Sequence, residues 1–188
     1  FPPENNQKPT GINENGPCYA QDGWAAGHIM GTVSGSDDHQ SQPGKAGGGL
    51  TAVLVDELTR EAVFTAIRNR RTYATTGDRI ILGFNINGHQ MGSVLPMVDQ
   101  VKISITAIGT ETIKLLEVMK YDPTFGKWEV VLKMKPNRRE VGFEEVLPNV
   151  NPALYYVRLE QEGLTNGRVV RAWSSPIWVG LGEDRDQS

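Results

Sequence analysis

Asp37 and His39 stand two residues apart in SGSDDHQSQPGKAGGG, residues 34–49, a stretch with almost no apolar side chains. In an extended segment, residues i and i+2 point to the same side. A carboxylate oxygen and an imidazole nitrogen placed together suit Zn, Mn or Fe. The Ser and Gly neighbours let the backbone bend closely around an ion. A catalytic zinc site takes about three protein ligands and a water, so the pair is short of a complete set. The other two histidines, His28 and His89, belong to no H-x-H or H-E-x-x-H pattern. The plainer reading of Asp-x-His is a solvated acidic loop, and spacing alone does not decide between the two. GKAGGG lacks the G-x-x-x-x-G-K-[ST] phosphate-loop pattern and reads as a flexible loop.

The elements that must carry this loop fall into two regions of different rhythm. In residues 1–76, Pro17 suits the first turn of a short helix through CYAQDGWAA, ending at Gly27. Ile29–Val33 reads as a short buried strand, and LTAVLV, residues 50–55, as a strand buried on both faces. Thr59 caps a predicted helix over TREAVFTAIRNRR, with Leu58 and Val63 at staple spacing. Its buried stripe is Ala62, Val63, Ala66 and Ile67. This order is α/β. From Arg79 the period becomes two: Val101, Ile103, Ile105 and Ala107 alternate with polar neighbours, and Tyr155, Val157 and Leu159 repeat the pattern. Asn87-Gly88 and Asn166-Gly167 mark turns. Several short alternating strands with regular turns predict a β-sandwich of about a hundred residues, with a barrel as the lesser alternative. Trp128, Trp173, Trp178, Tyr155 and Tyr156 fit its core, or an aromatic face for sugars.

Composition sets limits. Nineteen Lys and Arg against 22 Asp and Glu give a net charge of −3. With no basic run, a nucleic-acid surface is not evident, and no apolar stretch is long enough for a membrane helix. Cys18 is the sole cysteine, which excludes an intrachain disulfide and a cysteine zinc cage. FPPENNQKPT has neither the basic nor the apolar segment of a signal peptide and reads like an internal loop. The expectation is a piece of a longer protein; the compartment stays open.

The run GTVSGSDDH…PGKAGGGLTAVLVDELTREAVFTAIRNRRTYATTGDRIILGFNINGHQMGS, with the ending YYVRLEQ…RAWSSPIWV, resembles the C-terminal part of a PHP (polymerase and histidinol phosphatase) metal-dependent phosphoesterase, in a branch with a β-rich C-terminal extension. The resemblance implies an α+β chain. Residues 1–76 would be the last α/β elements of a distorted (β/α)7 barrel, and residues 77–188 an antiparallel β-sandwich. It implies a multinuclear centre of divalent ions that activates water against a phosphate ester. Asp37 and His39 match the family's last ligand pair; the family's earlier His ligands are absent from this chain. The fragment itself is expected to be inactive, with weak cation binding or none. Arg71 could hold a phosphate through its fork of donors, with Thr75 nearby; equally, Arg71 compensates a helix end and Thr75 bonds within a turn. The alternatives are a non-catalytic sandwich binding carbohydrate or protein, and a structural or oligomerisation module. Val53, Val55, Val63 and Ile67 would be left exposed, to be covered by a second copy or by the sandwich.

Overall fold

A computed structural model describes residues 19–45 and 47–182. Cys18 and the predicted start of the first helix at Pro17 lie outside the described residues. The described chain opens with helix α1 (Ala20–Ala25) and continues through β1 (Leu50–Val53), α2 (Arg60–Arg68), β2 (Thr72–Thr75), β3 (Ile81–Ile86), β4 (His89–Gln90) and β5 (Val94–Leu95). The long strand β6 (Gln100–Asp122) follows, then β7 (Lys127–Met134), β8 (Arg138–Pro148), β9 (Ala153–Thr165), β10 (Arg168–Ser174) and β11 (Ile177–Val179).

All these strands belong to one sheet, with the path β1-β2-β10-β9-β6-β3-β4. The 23-residue β6 is its spine. Its first half pairs with β3 and β8, its second half with β7 and β9, and the register shifts between Ile108 and Ile113. Those irregularities let one strand serve two sets of neighbours and curl the sheet. The inner face is apolar: Leu82, Phe84, Ile86, Val101, Ile103 and Ile105 are among its buried side chains. Asn87 and Gly88 have φ of 52° and 81°, and Asn166 and Gly167 of 51° and 72°. These are the left-handed pairs that two-residue hairpins need, and they join β3 to β4 and β9 to β10.

The expected α+β architecture, α/β barrel elements followed by a sandwich, does not form. Strands hold 51% and helices 9% of the described residues, in a curled, almost wholly antiparallel half-barrel sheet. The reasons are local. An α/β unit needs parallel strands joined by a helical crossover; here β1 and β2, the strands flanking α2, are antiparallel neighbours. Residues 29–33 form no strand. Instead the Thr32 N–H donates to Ser175 Oγ (2.8 Å) and its hydroxyl to the Ser174 carbonyl (3.0 Å). TYAT is a buried strand that ties β1 to β10 rather than a turn segment. β1, expected to be covered on both faces, is an edge strand with an exposed Thr51.

α2 keeps its cap, with the Ala62 N–H donating to Thr59 Oγ1 at 3.2 Å. Of its predicted stripe, however, Ala66 alone is buried, and Leu58 is too exposed (91%) to staple Val63. Val53, Val55 and Val63 are half-buried and Ile67 is exposed.

On the outer face of the sheet, Trp24 of α1 packs against Tyr156 (ring centroids 5.2 Å apart) and Trp128 (6.3 Å). The Gln21 amide donates to the Tyr156 hydroxyl (2.7 Å). Tyr155 and Tyr156, on opposite faces of β9, are therefore both buried.

Candidate functional site

The Asp37–His39 loop is fastened at both ends. On entry, the Ser34 N–H donates to Thr51 Oγ1 (2.8 Å), and the Thr51 hydroxyl donates back to the Ser34 carbonyl (2.7 Å). On return, Gly48 and Gly49 pass so close to Ser36 and Ser34 that a Cβ on either would collide with those side chains. Gly47, Gly48 and Gly49 are thus close-approach positions, whereas a Cβ at Gly44 would meet nothing.

Asp38 organises the loop. Its Oδ2 accepts from the N–H groups of Gln40 (3.0 Å) and Gln42 (2.8 Å), and Lys45 Nζ lies 3.6 Å from Oδ1. Asp37 and His39 are left outward and exposed. Asp37 has a left-handed φ of 53°, a conformation that Asp tolerates better than most residues. His39 Nδ1 sits 2.9 Å from the Asp37 carbonyl. A carbonyl only accepts, so Nδ1 is the donor, and in a neutral ring of that tautomer the lone pair lies on Nε2. A backbone carbonyl on the second ring nitrogen is the usual support of a metal-bound histidine.

The donor set is nonetheless two. Among the described residues no three His, Cys, Asp or Glu side chains gather to hold an ion. Asp38 is committed to backbone amides, and His28 and His89 are exposed elsewhere in the fold. The residues present fit part of a cation centre, not a whole one.

Thr75 and Arg71 are not brought together. Thr75 is buried, pairs with Leu50 where the loop rejoins the sheet, and accepts the Gly77 N–H on Oγ1 (3.1 Å). Arg71 is exposed beyond the opposite end of β2, about 13 Å along a four-residue strand. There it lines a groove of about 320 Å³ with Leu54, Asp56, Ile81 and Gln90. Within this chain it does not face the Asp-His pair. Of the aromatic residues, Tyr155, Tyr156 and Trp178 are buried and Trp128 and Trp173 half-buried.

A second cluster escaped the sequence reading. Glu117 of β6, 2% exposed, accepts from Arg158 Nε and Nη2 (both 2.7 Å) and from Lys133 Nζ (2.8 Å). Arg171 pairs with Glu160 at 2.9 Å. Together they line a recess of about 260 Å³ on the outer face. Burial pushes the Glu117 carboxyl up, but the hydrogen bonds and charges of Lys133 and Arg158 outweigh it and hold the carboxyl below its ordinary range. The one sequence signal is a glutamate between Leu116 and Val118 inside a strand. Each of its charged groups has a partner of opposite sign, with one cation in excess, so the cluster reads as a brace between β6, β7 and β9.

Comparison with known proteins places this chain beside others without assigning a chemistry. A family model described as a protein of unknown function, DUF3604, matches residues 19–104. An uncharacterised protein of Chlamydia trachomatis (serovar D) is 33% identical over 165 residues, covering 78% of this chain and 24% of the relative. One from Chlamydia muridarum is 34% identical over 164 residues, with the same coverage. One from Chlamydia pneumoniae is 31% identical over 152 residues, covering 71% of this chain and 23% of the relative. The chain thus spans about a quarter of the length of the curated relatives it matches. No solved structure matches it.

Proposed function

We propose that this chain is part of a longer metal-dependent hydrolase of the phosphoesterase type, and that Asp37 and His39 are two ligands of a divalent-cation centre completed by residues outside these 188. The observation that carries the reading is His39: its Nδ1 lies 2.9 Å from the Asp37 carbonyl, which leaves Nε2 as the ring atom for an ion, and both residues of the pair are exposed. The neighbouring Asp38 takes no part as a donor because it holds the loop in shape. The resemblance of GTVSGSDDH to a PHP ligand segment supports the same pair, without the barrel that the resemblance implied.

A bound Zn, Mn or Fe ion would supply Lewis acidity and a water of lowered pKa. What this chain contributes is placement. The seryl and glycyl contacts hold the loop, and the Asp37 carbonyl favours the histidine tautomer whose lone pair lies on Nε2. With two donors, the chain by itself binds divalent ions weakly and turns over no substrate.

The test is metal content by elemental analysis, with a phosphomonoester and phosphodiester screen, on the longer protein that carries this chain. Asp37→Ala and His39→Ala should each lower metal content and activity together. Full metal content and full activity in both variants would remove the pair from the site.

A further inference from the structure

α2 reaches the rest of the fold through β1, and Ala66 is its buried residue. Its other side carries Phe64 and Ile67, 65% and 52% exposed, with Leu58 just before the helix at 91%. With Val63 these line an open apolar groove of about 450 Å³. β1, beside the helix, pairs with β2 along one edge, and no strand among the described residues pairs with the other. Proteins seldom leave an apolar patch and an open sheet edge exposed side by side.

We propose that this end of the sheet is an intramolecular seam. A further section of a longer polypeptide docks there, setting apolar side chains against Leu58, Phe64 and Ile67 and laying an extended segment along the free edge of β1.

A second copy of the chain fits less well. A helix of nine residues is about 13 Å long, and one face of it buries far less than the roughly 800 Å² per partner of a stable association. A tethered segment needs less area, because the covalent link already supplies an effective concentration in the millimolar range. The relatives have the length to supply it, with about three-quarters of each lying outside the matched part. The seam shares with the proposed function the premise of a longer polypeptide. It does not depend on the cation.

The test compares hydrogen-exchange protection in this 188-residue chain with that in the full-length Chlamydia trachomatis relative. Amides of Arg60–Arg68 should exchange close to the fraying limit here, while the aligned helix of the relative is protected at least about 100-fold more. Equal protection in the two proteins overturns the proposal. In the 188-residue chain, Phe64→Asp and Ile67→Asp should leave the unfolding midpoint and a monomeric mass unchanged. A lowered midpoint would mean that the face is already used within the chain. A dimer dissociated by Phe64→Asp would mean that a second copy is the occupant. Either result overturns the seam. Neither readout involves metal, so the failure of one proposal is distinct from the failure of the other.

Discussion

Replacing Glu117 by Gln tests the electrostatic brace on the outer face. The carboxylate is 2% exposed and takes three donor contacts of 2.7–2.8 Å. The Arg158 side chain is 21% exposed and that of Lys133 57%. The fork from Arg158 is charge-assisted and partly desolvated, worth about 1.5–3 kcal/mol. Lys133 is more than half exposed, so its share is discounted to about 0.2–1 kcal/mol. Glutamine keeps the volume and one acceptor oxygen but turns an amide NH2 toward a cation. The expected loss is about 2 kcal/mol, read as a shift in the urea midpoint at constant m-value. The pH dependence fixes the cause. The folded carboxyl is held below the ordinary glutamate value of 4.5. Its stabilisation is therefore fully present above that value and is lost as pH falls through the folded one. The gap between wild type and Glu117→Gln should be constant from about pH 8 to pH 5.5 and should narrow below about pH 4.5 as the wild-type carboxyl protonates. Adding Arg158→Met separates the pair from packing, since a coupled pair loses less in the double variant than the sum of the singles. A gap under about 0.5 kcal/mol at pH 7, or one of the same size under acid conditions, would refute the reasoning.

Two further substitutions probe backbone and loop. Gly92 has a φ of 91°, and a Cβ there would run into the carbonyls of Asn69 and Arg70; Gly92→Ala should cost more than about 1 kcal/mol, seen as a lowered melting temperature. Asp38→Ala removes the acceptor of the Gln40 and Gln42 amides, so both should exchange about 5-fold faster or more. Asp37→Ala should leave those two amides unchanged, which separates the residue that shapes the loop from the one proposed to bind the ion.

Local patterns were readable wherever a residue's partners lie close in sequence. Asn87-Gly88 and Asn166-Gly167 are hairpin turns because two adjacent left-handed residues suffice to make one. Thr59 caps α2 through an amide three residues on. The alternation of Val101, Ile103, Ile105 and Ala107 gives the inner face of β6 directly. The spacing of Asp37 and His39 was likewise visible, and their role as ligands is the proposal made above.

What stayed hidden depends on distant partners. β2 is buried because β1 and β10 flank it, and β10 lies about a hundred residues away. Tyr155 and Tyr156 share burial because a tryptophan from α1 covers the second face. The partners of Glu117 come from β7 and β9. The expectation of an α/β barrel remnant fails for the same reason. LTAVLV followed by a capped amphipathic helix reads as a crossover unit only if the next strand runs parallel, and nothing within that stretch sets the direction of β2. It is β10, antiparallel to both β2 and β9, that recruits β2 and, through it, β1. With β1 and β2 antiparallel, β1 stays an edge strand and Phe64 and Ile67 of α2 stay exposed.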